Sequence, residues 1–503
     1  MINLKDRTLK AIISTYMAKA VAMVLGFILP VIIVRHLSVQ EYGIYKLINS
    51  LMLVFMVLTS FGLSAVVGRF IPELLVDKKY HHINKLFLFS FLIRFCSTLF
   101  FICLLFFCRN IFFTFFNFPS IFIDMFIPIS IIIFANLVNG IIGPPYLNAL
   151  MDQPILNCNN ICYGILKLIL FSIVLHYNYG IRGIIYAWIT IEAFSLFYYS
   201  FFAIIKYFKF KALKVFDNVS FENKRFVKYG FYHFLSSNLV IFHDLLVDNF
   251  FISKYLSIEM VGIYSLACAI IGFANIADPS ITLKGILNTV IVRKYSEKKS
   301  VNVLYQAYNF VNKISLFFYI PALVGLFFLG DKLIVYVFRS DYLESAQVLC
   351  YLLPFFIFVP LNRGVSLVIN LLEKNHIVIL CGVSSLYNLI MDIILVRYFG
   401  IAGIAFASGS ALLLLYLLYF IAINQYIKLK FPLITFMKII LNTIPMAIFL
   451  YVSKTYISNL FMLFLVIIAG ASIYFFMSYI NKIFDHDERD IINMIIKRKV
   501  WIF

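Results

Sequence analysis

The chain has 503 residues, of which 63% are hydrophobic and 13% are charged, and its formal net charge is +19. Soluble domains are about half apolar and about a quarter charged, so this composition excludes a water-soluble globular protein. A bilayer-spanning helix needs roughly 20 apolar residues, and runs of that length recur along the whole chain. We therefore predict an all-α polytopic membrane protein.

The first predicted span covers residues 11–34 and follows a basic segment, 1–10. This run is too long for the core of a signal peptide and no small-residue cleavage site follows it, so we expect an uncleaved membrane helix. Further apolar runs bring the predicted total to about 14 spans: 44–68, 86–107, 119–143, 161–176, 184–205, 231–253, 261–283, 309–330, 348–372, 376–396, 401–424, 433–453 and 458–480.

The positive charges are distributed unevenly over the connections between these spans. With the N-terminus in the cytoplasm, 27 of the 42 lysines and arginines lie in cytoplasmic segments and 8 lie in outside segments. This asymmetry follows the positive-inside rule and predicts that both termini are cytoplasmic. Because it explains most of the basic excess, no nucleic-acid partner is expected.

The connections are also short, and none is long enough for a folded catalytic domain outside the membrane. The eight cysteines are scattered, and Cys158 and Cys162 lack the paired spacing of a zinc site. We therefore expect no metal site and no disulfide framework. These features argue against an enzyme.

Two sequence motifs occur twice at nearly the same separation. Residues 37–45 (LSVQEYGIY) match 256–264 (LSIEMVGIY) at an offset of 219, and 180–184 (GIRGI) match 400–404 (GIAGI) at an offset of 220. Each pair occupies the same connection of its half, which predicts a duplicated six-span unit.

The duplication predicts four regions. Two six-helix lobes cover 1–218 and 219–430, two additional membrane helices cover 431–480, and a cytoplasmic amphipathic tail covers 481–503. An even number of spans gives both lobes the same orientation, so we expect parallel lobes around a central cavity.

Several cations fall inside the predicted spans. An ionisable side chain at mid-membrane costs about 2.5–3.5 kcal/mol on insertion scales, so each one needs a partner, a cavity or a function. Lys19, Lys46, Arg94 and Arg363 are the candidate binding residues for a diphosphate or an anionic sugar, since lysine acts as a point charge and arginine binds bidentately. A structural ion pair or a snorkelling side chain is the alternative for each of them.

Acidic residues also lie within the spans. The candidates for binding a coupling H⁺ or Na⁺ are Asp244, Asp248, Asp278 and Asp392. In a continuous helix, His233, Ser237 and the first two of these acids fall within about 60° of arc, which predicts one polar stripe. Two carboxylates at i, i+4 repel when both are ionised, so one would hold a proton or a cation. The alternative is a structural pair neutralised by Lys313 or Lys254.

Taken together, five segments resemble a known family: RHLSVQEYGIYKLINSL (35–51), FGLSAVVGRFIPE (61–73), YGIRGIIYAW (179–188), LSIEMVGIYSLACAI (256–270) and VYVFRSDYLESAQVLCYLLP (335–354). They look like the Wzx-type polysaccharide flippases, which handle O-antigen repeat units. These flippases belong to the multidrug/oligosaccharidyl-lipid/polysaccharide exporter superfamily, and the resemblance extends over the whole chain.

The resemblance implies alternating access by two six-helix lobes in the bacterial cytoplasmic membrane. The implied substrate is an undecaprenyl-diphosphate-linked oligosaccharide, moved from the inner to the outer leaflet for O-antigen, capsule or exopolysaccharide assembly. Implied partners are this lipid-linked oligosaccharide, membrane lipids, a polysaccharide polymerase and a chain-length regulator, and no cofactor is implied beyond a coupling ion. The resemblance also implies cationic residues in the central cavity, and Lys19, Lys46 and Arg94 are residues of that type.

Two alternatives remain open. One is a cation-coupled multidrug exporter of the same superfamily, although such exporters tend to have an acid in the first span, where this chain has Lys19. The other is a membrane polysaccharide polymerase or glycosyltransferase, against which the short outside connections argue.

Overall fold

The computed structural model of the protein describes residues 4–213, 223–278, 300–496 and 503. Regular structure within these ranges is helical, without strands, and two compact units are formed by Met1–Gly262 and Ile263–Phe503. The lobe boundary predicted at 218/219 and the end of the span predicted over 261–283 lie outside the described residues. The lobe boundaries therefore stay predictions.

The first unit contains ten helices and the start of an eleventh in its described part: α1 (Leu4–His36), α2 (Val39–Leu58), α3 (Leu63–Val76), α4 (Tyr80–Phe115), α5 (Ile121–Asp124), α6 (Phe126–Ile141), α7 (Gln153–His176), α8 (Gly180–Ala212), α9 (Asn223–Val240), α10 (Leu245–Tyr255) and α11 (Ile258–Ala277). A π-helical turn, Ile142–Leu147, extends α6, and a 3₁₀ turn, Ile241–His243, joins α9 to α10.

The described part of the second unit continues α11 and adds seven helices: α12 (Val301–Val337), α13 (Ser345–Phe356), α14 (Phe358–Leu371), α15 (Cys381–Asn424), α16 (Leu433–Ser453), α17 (Leu460–Asn481) and α18 (His486–Ile496). Helices α12, α16 and α17 pack against one another, which joins the predicted additional helices to the core of this unit.

Twelve segments of the described chain are long and apolar enough to cross a bilayer. One of them, His376–Asn424, has non-helical backbone at Gly400 (φ 57°, ψ −136°), so it contains two of the predicted spans. The span predicted at 231–253 is divided into α9 and α10. These two cases account for the difference from fourteen, and the all-helical membrane fold is confirmed.

The second predicted span, 44–68, is wrong at its C-terminal end. Helix α2 stops at Leu58, and α3 begins at Leu63 after Phe61 and Gly62 adopt positive φ. A Cβ at Gly62 would overlap the carbonyl oxygen of Gly230, because α9 passes directly against this turn. The apolar run continues through the break, so hydropathy alone does not reveal it.

The repeated motifs lie against each other in the first unit. A Cβ on Gly43 would overlap the carbonyl oxygen of Ile258, and a Cβ on Gly262 would overlap that of Val39. Gly43 and Gly262 are related by the offset of 219 found in the sequence, and so are Val39 and Ile258, so the contact is reciprocal. It requires glycine at both positions because the neighbouring atom is backbone.

The two motifs of the first half also meet. Ser38 caps α2, and Glu41 completes a capping box with it. The Oε1 atom of Glu41 also accepts a hydrogen bond of 3.0 Å from the backbone N–H of Ile181. Gly180 has φ of 57° and leaves room for that carboxylate, and its counterpart Gly400 has the same φ. These motif residues therefore determine how helices begin and pack.

Candidate functional site

Arg94, on α4, is buried, with 5% of its surface exposed. Its Nε donates to the carbonyl oxygen of Leu137 on α6, and its Nη1 donates to that of Met56 in the last turn of α2, each at 3.1 Å. The guanidinium therefore joins three helices and satisfies a carbonyl at the end of α2. The role of Arg94 in substrate binding stays a prediction.

The two predicted lysines of the first unit differ in their surroundings. Lys19 is exposed on α1, whereas Lys46 is half-buried on α2. The Nζ atom of Lys46 lies 5.3 Å from the centre of the Tyr42 ring, a cation–π distance.

Lys167, on α7, is an intramembrane cation that the predicted binding set does not include. Its Nζ faces four aromatic rings, at 4.6 Å from the centre of Trp188, 5.4 Å from Phe171, 5.8 Å from Tyr45 and 5.9 Å from Tyr163. Aromatic faces stabilise a cation in a site with little water. The i, i+4 spacing of Tyr163 and Lys167 was the sequence signal for this arrangement.

Glu192, on α8, was also absent from the predicted site residues. It is 1% exposed, and its carboxylate accepts hydrogen bonds from Asn136, Asn139, Tyr163 and Trp188 at 2.8–3.2 Å. We call these five residues the Glu192 cluster; they join α6, α7 and α8. Because four donors from three helices meet at one carboxylate, Glu192 holds α6, α7 and α8 together.

The polar stripe predicted for span 7 is wrong. It assumed a continuous helix, but α9 ends at Val240 and Asp244 is the N-cap of α10, with its Oδ1 accepting from the backbone N–H of Leu246 at 3.0 Å. Asp248 is fully buried in the first turn of α10, where the helix dipole favours a negative charge. The role of both acids in ion coupling stays a prediction.

In the second unit the structure pairs a predicted anion-binding residue with a predicted coupling acid. The Nη1 atom of Arg363 lies 2.6 Å from Oδ2 of Asp278, and its Nη2 lies 2.6 Å from Oδ1 of Asn275. Asp278 is fully buried, whereas the side chain of Arg363 is 29% exposed. Because water is partly excluded from the Arg363–Asp278 pair, its electrostatic attraction is stronger than that between two surface charges.

Two further intramembrane charges of the second unit, Asp392 and Lys313, are also buried. Asp392 is buried on α15, one turn after the buried Asn388. Lys313, considered above as a partner of the span 7 acids, forms a 2.7 Å salt bridge with Glu488 and lies 3.8 Å from Asp485. The predicted tail is therefore anchored to α12 through a buried lysine.

An apolar cavity of about 400 Å³ lies between α12, α16 and α17. Its wall includes Pro321, Gly325, Met446 and Gly470, where glycine and proline leave space between the helices. A cavity with this lining fits a hydrocarbon chain and offers little to a polar ligand.

Twelve membrane-length apolar segments in the described part of the chain define a multi-pass membrane protein. A model of the family described as "Polysaccharide biosynthesis protein" matches residues 32–347, more than half of the chain. The chain therefore belongs to this family.

Known proteins agree with this assignment. The chain is 30% identical over 206 residues to the lipid II flippase MurJ of Thermosipho africanus (strain TCF52B), a match over 39% of this chain and 41% of that protein. The match thus spans less than half of that relative's length.

Two solved structures share the fold. The lipid II flippase MurJ in an inward closed conformation aligns with a TM-score of 0.67 at 21% identity, covering 96% of this chain and all of that one. An inward-facing multidrug resistance MATE family transporter of the MOP superfamily aligns with a TM-score of 0.63 at 15% identity, covering 82% and 98%. At these identities the two structures show that this chain shares their all-helical fold.

Proposed function

We propose that the protein flips an undecaprenyl-diphosphate-linked oligosaccharide from the inner to the outer leaflet of the bacterial cytoplasmic membrane by alternating access. The product would serve O-antigen, capsule or exopolysaccharide assembly, together with a polysaccharide polymerase and a chain-length regulator. Membership of a polysaccharide biosynthesis family and similarity to a lipid flippase support this proposal. Both termini would be cytoplasmic, in accord with the distribution of lysine and arginine.

The Arg363–Asp278 pair carries the mechanistic part of the proposal. A guanidinium binds a phosphate bidentately through the same N–H groups that it donates to a carboxylate. When Asp278 takes up H⁺ or Na⁺, its attraction for Arg363 falls and the guanidinium becomes available to the diphosphate. When the ion leaves, the carboxylate competes for Arg363 again and favours release.

The other predicted residues have supporting roles in this proposal. Lys19 and Lys46, with Arg94 between helices, would attract the diphosphate and anionic sugars in the first unit. Asp244, Asp248 and Asp392 would contribute further coupling sites. The apolar cavity between α12, α16 and α17 would accept part of the lipid chain, which gives the last two helices a function.

The test uses a deletion strain that expresses each variant, with surface polysaccharide measured on gels and flipping measured in proteoliposomes. The Arg363→Ala variant should abolish surface polysaccharide. The Asp278→Asn variant should still bind the substrate, but its rate of flipping should no longer depend on pH or on Na⁺. Arg339→Ala is the matched control, since Arg339 is exposed in the same unit and pairs with Asp341, two residues away. Normal polysaccharide in Arg363→Ala would contradict the mechanism.

The exporter and the polymerase alternatives give different results in the same strain. A deletion that leaves polysaccharide intact and increases drug susceptibility would favour a multidrug exporter. A deletion that still displays single repeat units outside the cell would favour a polymerase.

A further inference from the structure

A second cavity, of about 880 Å³, opens in the first unit between the first turns of α4 and the last turns of α8. The two helices are held together beside it by a 3.0 Å hydrogen bond from Nδ2 of Asn84 to the carbonyl oxygen of Tyr207. The rings of Tyr80 and Phe210 stack there, with centres 5.5 Å apart. These two contacts fix α4 against α8 at the cavity.

The lining of this cavity is divided by chemistry. His81, Lys85 and Lys211 lie towards the two helix ends, and no acid is among the described residues that line it. Leu88 and Leu92 follow Lys85 along α4 at i+3 and i+7, so they continue the same helix face towards the middle of the membrane. These leucines are 39% and 55% exposed, and an apolar molecule can lie against them.

We propose that this cavity binds one anionic phospholipid, with its phosphate between Lys85 and Lys211 and the start of an acyl chain along Leu88 and Leu92. The cationic end fits a phosphate, and the adjoining apolar face fits the hydrocarbon that only a lipid brings with it. The volume lies within the about 300–1,000 Å³ of ordinary ligand pockets. The predicted topology places this end in the cytoplasmic leaflet, whose surface is negative.

The site is distinct from the flipping mechanism proposed above. It contains none of the residues assigned to substrate binding or coupling, and the lysine at its cationic end of α4, Lys85, precedes Arg94 by nine residues. A bound lipid would fix α4 against α8, and α8 carries Glu192. Its expected effect is therefore on stability.

The experiment is native mass spectrometry of the full-length protein after equilibration with phosphatidylglycerol, phosphatidylcholine or inorganic phosphate. The double variant Lys85→Gln/Lys211→Gln should retain phosphatidylglycerol less well, by about five-fold for each lysine removed. Lys209→Gln is the control, because Lys209 lies in the same last turn of α8 but does not line the cavity. It should retain the lipid as the parent does.

Three results would overturn the proposal. Equal retention of phosphatidylcholine would show that the charge is not recognised, and unchanged retention by the double variant would show that these lysines are not the site. Retention of inorganic phosphate equal to that of phosphatidylglycerol would identify a free-anion site. Loss of lipid in the double variant with normal surface polysaccharide would support the lipid site independently of the flippase proposal.

Discussion

The reciprocal glycine contact at Gly43 and Gly262 permits a quantitative prediction. A Cβ on either glycine would approach a backbone carbonyl oxygen more closely than the 3.0 Å that real Cβ contacts do not cross. A backbone atom in a packed helix cannot swing away as the tip of a side chain can. The N-terminal ends of α2 and α11 must therefore move apart, and the packing between them is weakened.

We expect Gly43→Ala to be less stable than a matched glycine variant by about 1–3 kcal/mol, the usual cost of overpacking. The matched variant is Gly68→Ala in α3, where a Cβ would meet nothing within 4 Å. Alanine favours a helix over glycine by about 1 kcal/mol, and this gain applies to both variants. The difference between them therefore measures the overlap at Gly43.

The assay is thermal unfolding of the purified protein in detergent, followed by fluorescence-detected gel filtration. The double variant Gly43→Ala/Gly262→Ala should lose less than the sum of the two single losses, because one separation of the helices relieves both overlaps. Equal stability of Gly43→Ala and Gly68→Ala would refute the overlap. Strict additivity in the double variant would refute the shared contact.

Three further substitutions test the charged contacts by the same thermal assay. Glu192→Gln should lower the stability by about 1–3 kcal/mol, because the NH₂ group of the new amide would face side chains that are themselves donors, and a buried polar group would be left without an acceptor. Unchanged stability would contradict the hydrogen bonds assigned to this carboxylate. Glu488→Gln should cost about 3–5 kcal/mol, since it leaves the buried Lys313 without its nearest counter-charge. Glu73→Gln, which breaks an exposed pair with Arg225, should cost less than about 1 kcal/mol, and its loss should shrink in high salt. If Glu73→Gln lowered the stability as much as Glu488→Gln, solvent exposure would not determine the strength of these ion pairs.

Much of the fold follows from local sequence. Each span is a run of apolar residues, and in a membrane such a run must satisfy its own backbone groups by forming a helix. The helix breaks were the exception. The apolar pattern continues through Phe61 and Gly62, and only the contact with Gly230 of α9 shows why the chain turns there. At 241–244 the predicted span is interrupted by a 3₁₀ turn and by the N-cap Asp244 of α10.

The candidate site divides in the same way. The sequence showed which charges lie within spans, because an ionisable residue in an apolar run is visible without a structure. It did not show their partners, since Arg363 and Asp278 are 85 residues apart and Lys313 and Glu488 are 175 apart.

The sequence by itself thus determined the membrane class, the approximate spans and the repeated motifs, all of which depend on residue type and spacing along one segment. The tertiary structure alone decided which charges neutralise each other and which glycines are required. Those properties depend on the distance between atoms of different helices. Packing sets that distance to within tenths of an ångström, and no local pattern in the chain encodes it.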